Sequence, residues 1–157
     1  GQNERILSAI TVGSVLKTVN AYVHLASTIL AAIAGISLLV SALMIIVTMY
    51  MSVSERTKEI GILRALGERK KDIRRLFTSE SIFIGLFSAI LALGIVAVVA
   101  LILNHALYGL IKYNIVQITV GNVIFAIVVA VVISFIAALL PARHAAKLNP
   151  IDALAAD

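Results

Sequence analysis

Cysteine is absent from this 157-residue chain, and charge is scarce: Asp, Glu, Lys and Arg make up 13% of it. Without cysteine there is no disulfide framework and no thiolate metal site. Hydrophobic residues make up 61%, whereas a soluble domain carries about 45–50% apolar and about 25% charged residues. The mean hydropathy of +1.08 therefore points to a membrane protein. No G-x-x-x-x-G-K-[ST] phosphate loop occurs, so the chain is not expected to hydrolyse nucleotides itself. H-E-x-x-H is missing as well, and His24, His105 and His144 are scattered, so no shared metal site is expected. The first residues, GQNERIL, contain neither Met nor an apolar signal region, which suggests a piece of a longer protein.

What is present is three long uncharged runs. Leu25 to Val53 is free of charge and would make a helix of about 43 Å, longer than the roughly 30 Å hydrocarbon core. Ser81 to Leu110 is the second run, most apolar over about 81–104, and Ile118 to Leu140 is the third, with Pro141 expected to end it. The expected fold is an all-α membrane protein with spans near 25–53, 81–104 and 118–140. Residues 1–24 read as an extracytoplasmic amphipathic helix continuous with the first span, or as a short interfacial segment. No Asp, Glu, Lys or Arg lies inside the apolar cores, so no proton relay or ion pathway is expected.

The charge gathers in one place. The stretch 54–75, SERTKEIGILRALGERKKDIRR, holds eight of the thirteen Lys and Arg residues. The loop between spans two and three has only Lys112, and the tail has Arg143 and Lys147. Basic loops stay in the cytosol, so loop 54–80 and tail 141–157 are expected there. The net charge of +5 is then explained by membrane topology and not by nucleic acid. On a helical wheel Ile60, Ile62, Leu63 and Leu66 share an arc of about 160° at 100° per residue, with Gly61 and Ala65 on another side. Gly67 fits a helix C-terminus. The loop thus reads as a short amphipathic helix, a glycine turn and a basic helix entering the bilayer. Such a helix either lies on anionic lipid or inserts into a groove on a cytosolic partner. In the tail, Asn149 suits an N-cap, Pro150 the first helical position and Asp152 the third. Small residues at four-residue spacing (Ala31 and Gly35, Ser37 and Ser41, Ser81, Gly85 and Ala89) permit close helix contact, and dimerisation through them is one possibility.

Three segments together, AAIAGISLLV, SVSERTKEIGILRALGERKKDIRRLFTSES and PARHAAKLNPIDAL, resemble the C-terminal permease module of FtsX-like ABC transporter permeases, the group that includes MacB-type and lipoprotein-releasing permeases. The resemblance covers about residues 25–157. It is carried by E-R-x-x-E-I-G-x-x-R-A-L-G, from Glu55 to Gly67, and by P-A-R-x-A-A-x-x-x-P-I-x-A-L, from Pro141 to Leu154.

The resemblance implies a bacterial or archaeal cell-membrane permease whose first span and extracytoplasmic domain precede this chain. It implies a homo- or heterodimer of permeases working with a cytosolic ABC ATPase that binds ATP and Mg, with no cofactor in this chain. The helix after the first span here would be the coupling helix. Its docking residues would be Glu55, Arg56, Glu59, Ile60, Gly61, Leu63, Arg64, Leu66 and Gly67, with Ile60, Leu63 and Leu66 as anchors. Arg143, Pro150, Ile151 and Leu154 would form a second cytoplasmic contact. The sequence departs from MacB itself at SALMIIVTM, from Ser41, where a glycine-rich run is the pattern. The expected function is to couple ATP hydrolysis to movement of extracytoplasmic elements. The alternative is an FtsX-like signalling or scaffold role, passing ATPase state to an enzyme such as a cell-wall hydrolase.

Overall fold

The computed structural model describes residues 1–114 and 116–155; the last two residues of the expected tail lie outside these. Among the described residues there is no strand. The described residues form five helices: α1 (Gln2–Glu55), α2 (Thr57–Ala65), α3 (Lys70–Ile111), α4 (Val120–Ala146) and α5 (Pro150–Ala155). The chain is thus all-α, and α1, α3 and α4 are each long and apolar enough to cross a membrane. It divides into two units, Gly1–Ser41 and Ala42–Asp157.

In the first unit every residue is exposed. Most of its serine and threonine hydroxyls bond within the helix itself. Thr28 donates to the His24 carbonyl at 2.8 Å, Ser37 to Ile33 at 3.0 Å and Ser41 to Ser37 at 2.9 Å. In hydrocarbon each polar group needs such a partner. Residues 4–24 are helical, and α1 runs without interruption into the first apolar run. At 54 residues, α1 has many more residues than the roughly 20 a single span requires.

The second unit is held at two levels. At the charged ends of the helices, Met49, Val53, Ile60, Ile73, Phe77, Ala142 and Ala145 form one core, with Ile45 and Leu148 packed against it. Along the apolar parts, α3 packs on α4. There the buried residues are small: Ser81, Gly85 and Ala89 on α3, and Ser134, Ala137 and Ala138 on α4. A Cβ added at Gly85 would clash with the Ser134 side chain, standing 2.7 Å from its Cβ, and would lie 3.1 Å from the Ala130 carbonyl oxygen. The Ser81–Gly85–Ala89 strip, one candidate for dimer contact, therefore serves a contact within the chain.

One boundary agrees with the sequence expectation and one differs. α3 begins at Lys70, so the basic stretch and the second span form a single helix, the basic helix expected to enter the bilayer. α4 continues through Pro141 to Ala146. Proline removes one i→i−4 hydrogen bond, here to Ala137, and normally kinks or ends a helix. Pro141, Ala142, Ala145 and Ala146 are all buried, and this burial holds the turns beyond the proline. At the far end of α3, Asn104 ties down the following loop. Its Nδ2 donates to the Val116 carbonyl at 2.9 Å, and the Val116 N–H donates to its Oδ1 at 3.0 Å.

Candidate functional site

The charged segment after α1 folds as a short helix closed at both ends. Arg56, at the junction, breaks the α1 geometry with φ −102° and ψ 14°. Its guanidinium reaches Glu59 at 3.3 Å and Glu80 at 3.2 Å and lies 5.5 Å from the centre of the Phe77 ring. These links join the start of α2 to α3. Both ion pairs are partly exposed, so each contributes at most about 1 kcal/mol. At the other end, the Gly67 N–H donates to Arg64 at 3.2 Å and the Glu68 N–H to Leu63 at 3.0 Å. This pair of bonds is the Schellman closure. It needs the left-handed backbone that Gly67 supplies at φ +101°, where a Cβ would be strained. The Arg64 guanidinium adds a bond to the Glu68 carbonyl at 3.0 Å. Asp72 then accepts from the Arg69 N–H at 3.4 Å as α3 begins.

The inward face of α2 is Thr57, Ile60, Gly61 and Arg64, all buried or half-buried. Their i, i+3, i+4, i+7 spacing is one helical stripe. Ile60 is 2% exposed and sits in the core. Gly61 lies against α5: an added Cβ would stand 2.8 Å from the Ala153 Cβ and 3.3 Å from the Leu154 nitrogen. Ile60 and Gly61 therefore fasten α2 to its own chain. Leu63 is half-buried, and Glu55, Glu59 and Gly67 are exposed. Leu66 is 79% exposed and Ile62 46%.

The tail helix α5 forms as the sequence predicts. Asn149 accepts from the Ile151 N–H through its Oδ1 at 3.1 Å, and its carbonyl accepts from the Ala153 N–H at 2.9 Å. Pro150 is half-buried at the first helical position, while Ile151 and Leu154 are exposed. The structure thus brings α2 and α5 together as a two-helix unit with Ile62, Leu66, Ile151 and Leu154 facing out. Arg143 belongs to a different surface, a groove between α3 and α4 that Lys71 and Arg74 also line. His144 meets the Tyr50 ring, with centroids 5.5 Å apart. Sequence reasoning missed Asn104, and it placed Ile62 on the apolar arc of α2 without naming it among the docking residues. An amide at the end of an apolar run was the available signal for Asn104.

Residues 31–150 match the model of the FtsX-like permease C-terminal family. An ABC transporter permease of Methanocaldococcus jannaschii, described as uncharacterized, is 39% identical over 153 residues, covering 94% of this chain and 37% of that protein. The macrolide export ATP-binding/permease protein MacB of Neisseria gonorrhoeae is 38% identical over 129 residues, 82% of this chain and 19% of that protein. A probable syringafactin export ATP-binding/permease protein of Pseudomonas syringae is 33% identical over 144 residues, covering 92% of this chain and 21% of that protein. The chain thus spans well under half the length of the relatives it matches.

Proposed function

This chain belongs to the FtsX-like permease C-terminal family, a multi-pass component of the cell membrane, and from that premise we propose that it couples a cytosolic ABC ATPase to movement outside the membrane. The α2–α5 unit receives the ATPase. α1 carries the resulting displacement away from it. Two such permeases work as a pair, and the ATP and Mg belong to the partner subunit or domain. Export, the work that the names of the Neisseria and Pseudomonas relatives give, is the class of work that suits this arrangement.

The observation that supports the reading most directly is the division of labour on α2. One stripe, Thr57 to Arg64, is committed to the chain's own core and to α5. The opposite side leaves Leu66 79% exposed and Ile62 46% exposed within the most charged stretch of the sequence. Isolated exposed leucines are common on proteins. Here, however, the residue sits on a short helix fixed by an ion-paired arginine at one end and a glycine closure at the other. A fixed helix can transmit force, whereas a loose one would absorb it.

The test is Leu66→Asp in the full-length permease with its ATPase, in lipid nanodiscs. Leu66 is exposed, so the fold is retained. A docking anchor of this kind is worth about 2 kcal/mol or more, or about thirtyfold in Kd. Permease-dependent ATPase stimulation and co-purification should fall together. Unchanged binding and stimulation would sink the docking reading.

A further inference from the structure

A groove of about 480 Å³ runs between α3 and α4, within the size range of small-molecule sites. Its α3 wall is one helical stripe: Lys71, Arg74, Arg75, Thr78, Ser79 and Ile82. Its α4 wall is another at four-residue spacing: Phe135, Leu139 and Arg143. Both walls change character in the same direction. The cations lie at the charged end of each helix. Ile82, Phe135 and Leu139 lie in the uncharged runs, and Thr78 and Ser79 fall between. A second, adjoining cavity shares Lys71, Arg74 and Arg143 and adds Lys70 and Lys147. No carboxylate lines either cavity. Among the described residues, the only ion pairs are those of Arg56, so no described carboxylate pairs with the groove cations.

We propose that this groove holds an anionic phospholipid, with the phosphate among Arg74, Arg75 and Arg143 and an acyl chain along Ile82, Phe135 and Leu139. Clusters of Lys and Arg just outside a span attract anionic headgroups, and basic pockets between spans hold them at defined places. Arginine suits phosphate through its planar fork of donors. The apolar end of the groove decides between a lipid and an acidic protein surface. It lies within the runs expected to be inside the bilayer, where a cytosolic protein does not reach. The lipid contact is therefore assigned to the α3–α4 groove and not to the α2 helix. It stands independently of the ATPase reading.

The experiment uses the full-length permease without ATPase, with phosphatidylglycerol retention measured by native mass spectrometry. The groove variant is Arg74→Gln, Arg75→Gln, Arg143→Gln. The control removes the same charge elsewhere: Arg5→Gln, Lys17→Gln, Lys112→Gln. All six side chains are exposed, and thermal unfolding verifies that both variants fold. The groove variant should lose affinity by about 100-fold, the scale expected for three cations near a membrane surface. The control should retain the lipid, and glycerol phosphate should not compete. Equal loss in both variants would mean diffuse attraction only, and full retention by the groove variant would remove the site; either overturns the proposal. So would equal competition by glycerol phosphate, which would make the groove a free-anion site. In a second preparation made with the ATPase, a groove variant that keeps its lipid but no longer co-purifies with the ATPase would make the groove a protein-docking surface and overturn the proposal.

Discussion

Phe77 and Gly85 lie eight residues apart on the same helix, and their neighbourhoods pack differently. Around Phe77 the buried side chains include Met49, Val53, Ile60 and Ile73, and Phe77 itself is 0% exposed. Around Gly85 the buried residues on both helices are Ser, Gly and Ala. The large apolar side chains of that stretch point outward, with Phe83 71% and Phe87 67% exposed. The charged segment marks where α3 leaves the hydrocarbon. Outside it, burying a large side chain removes apolar surface from water, which stabilises the fold. Inside it, lipid is as apolar as leucine, so helices gain by close approach between small residues. One helix therefore carries two packing chemistries, and the change falls between Phe77 and Ser81.

The comparison is tested most strongly by truncation. Phe77→Ala should destabilise the protein by about 3–5 kcal/mol, the cost of a large cavity in a packed core. Phe87→Ala, on the lipid side, should fall within about 0.5 kcal/mol of the parent. Equilibrium unfolding in micelles measures both. Equal losses would mean that the two regions are not distinct.

The reverse test is insertion. Gly85→Val places side-chain atoms where Ser134 already stands, with overpacking worth about 1–3 kcal/mol. Ser134→Gly in the same chain should recover part of that loss, because it removes the nearest obstacle, and leave a remainder from the Ala130 carbonyl. Unfolding of the two single variants and the double variant gives the coupling. Additive losses would place the two residues out of contact.

How much of this was legible in the sequence follows from the same contrast. Uncharged runs marked the three spans because length and hydropathy are local properties. Gly67 and Asn149 announced their caps because capping chemistry is also local. Ser81, Gly85 and Ala89 announced close contact but not its partner. A small residue says that something approaches, and only the fold says it is α4. The wheel for α2 grouped Ile60 with Leu63 and Leu66, yet α2 turns Ile60 and Gly61 inward. Gly61 carries no hydrophobic signal, so its contact with Ala153, far along the chain, could not pull the expected face round. Pro141 signals a stop in the sequence because its local effect is a stop. The burial that carries α4 past it comes from elsewhere in the chain.

Gly61 gives the smallest effect and separates local from distant forces on α2. Gly61→Ala should strengthen α2 itself, since alanine exceeds glycine by about 1 kcal/mol within a helix. The added methyl group also meets the Ala153 Cβ, 2.8 Å away. α5 has only six residues, so it yields before α2 does. The amide of Ala153, which donates to Asn149 at 2.9 Å, should then exchange about fivefold to tenfold faster, as expected when a locally opening element loses about 1 kcal/mol. Amides in α2 should not accelerate. Ala153→Gly, added to the variant, should slow that exchange again by removing the opposing methyl. If Ala153 exchange is unaffected, α5 slides along α2 without strain. The two helices would then not be a fixed unit, and force arriving at Leu66 would have no rigid route through α5.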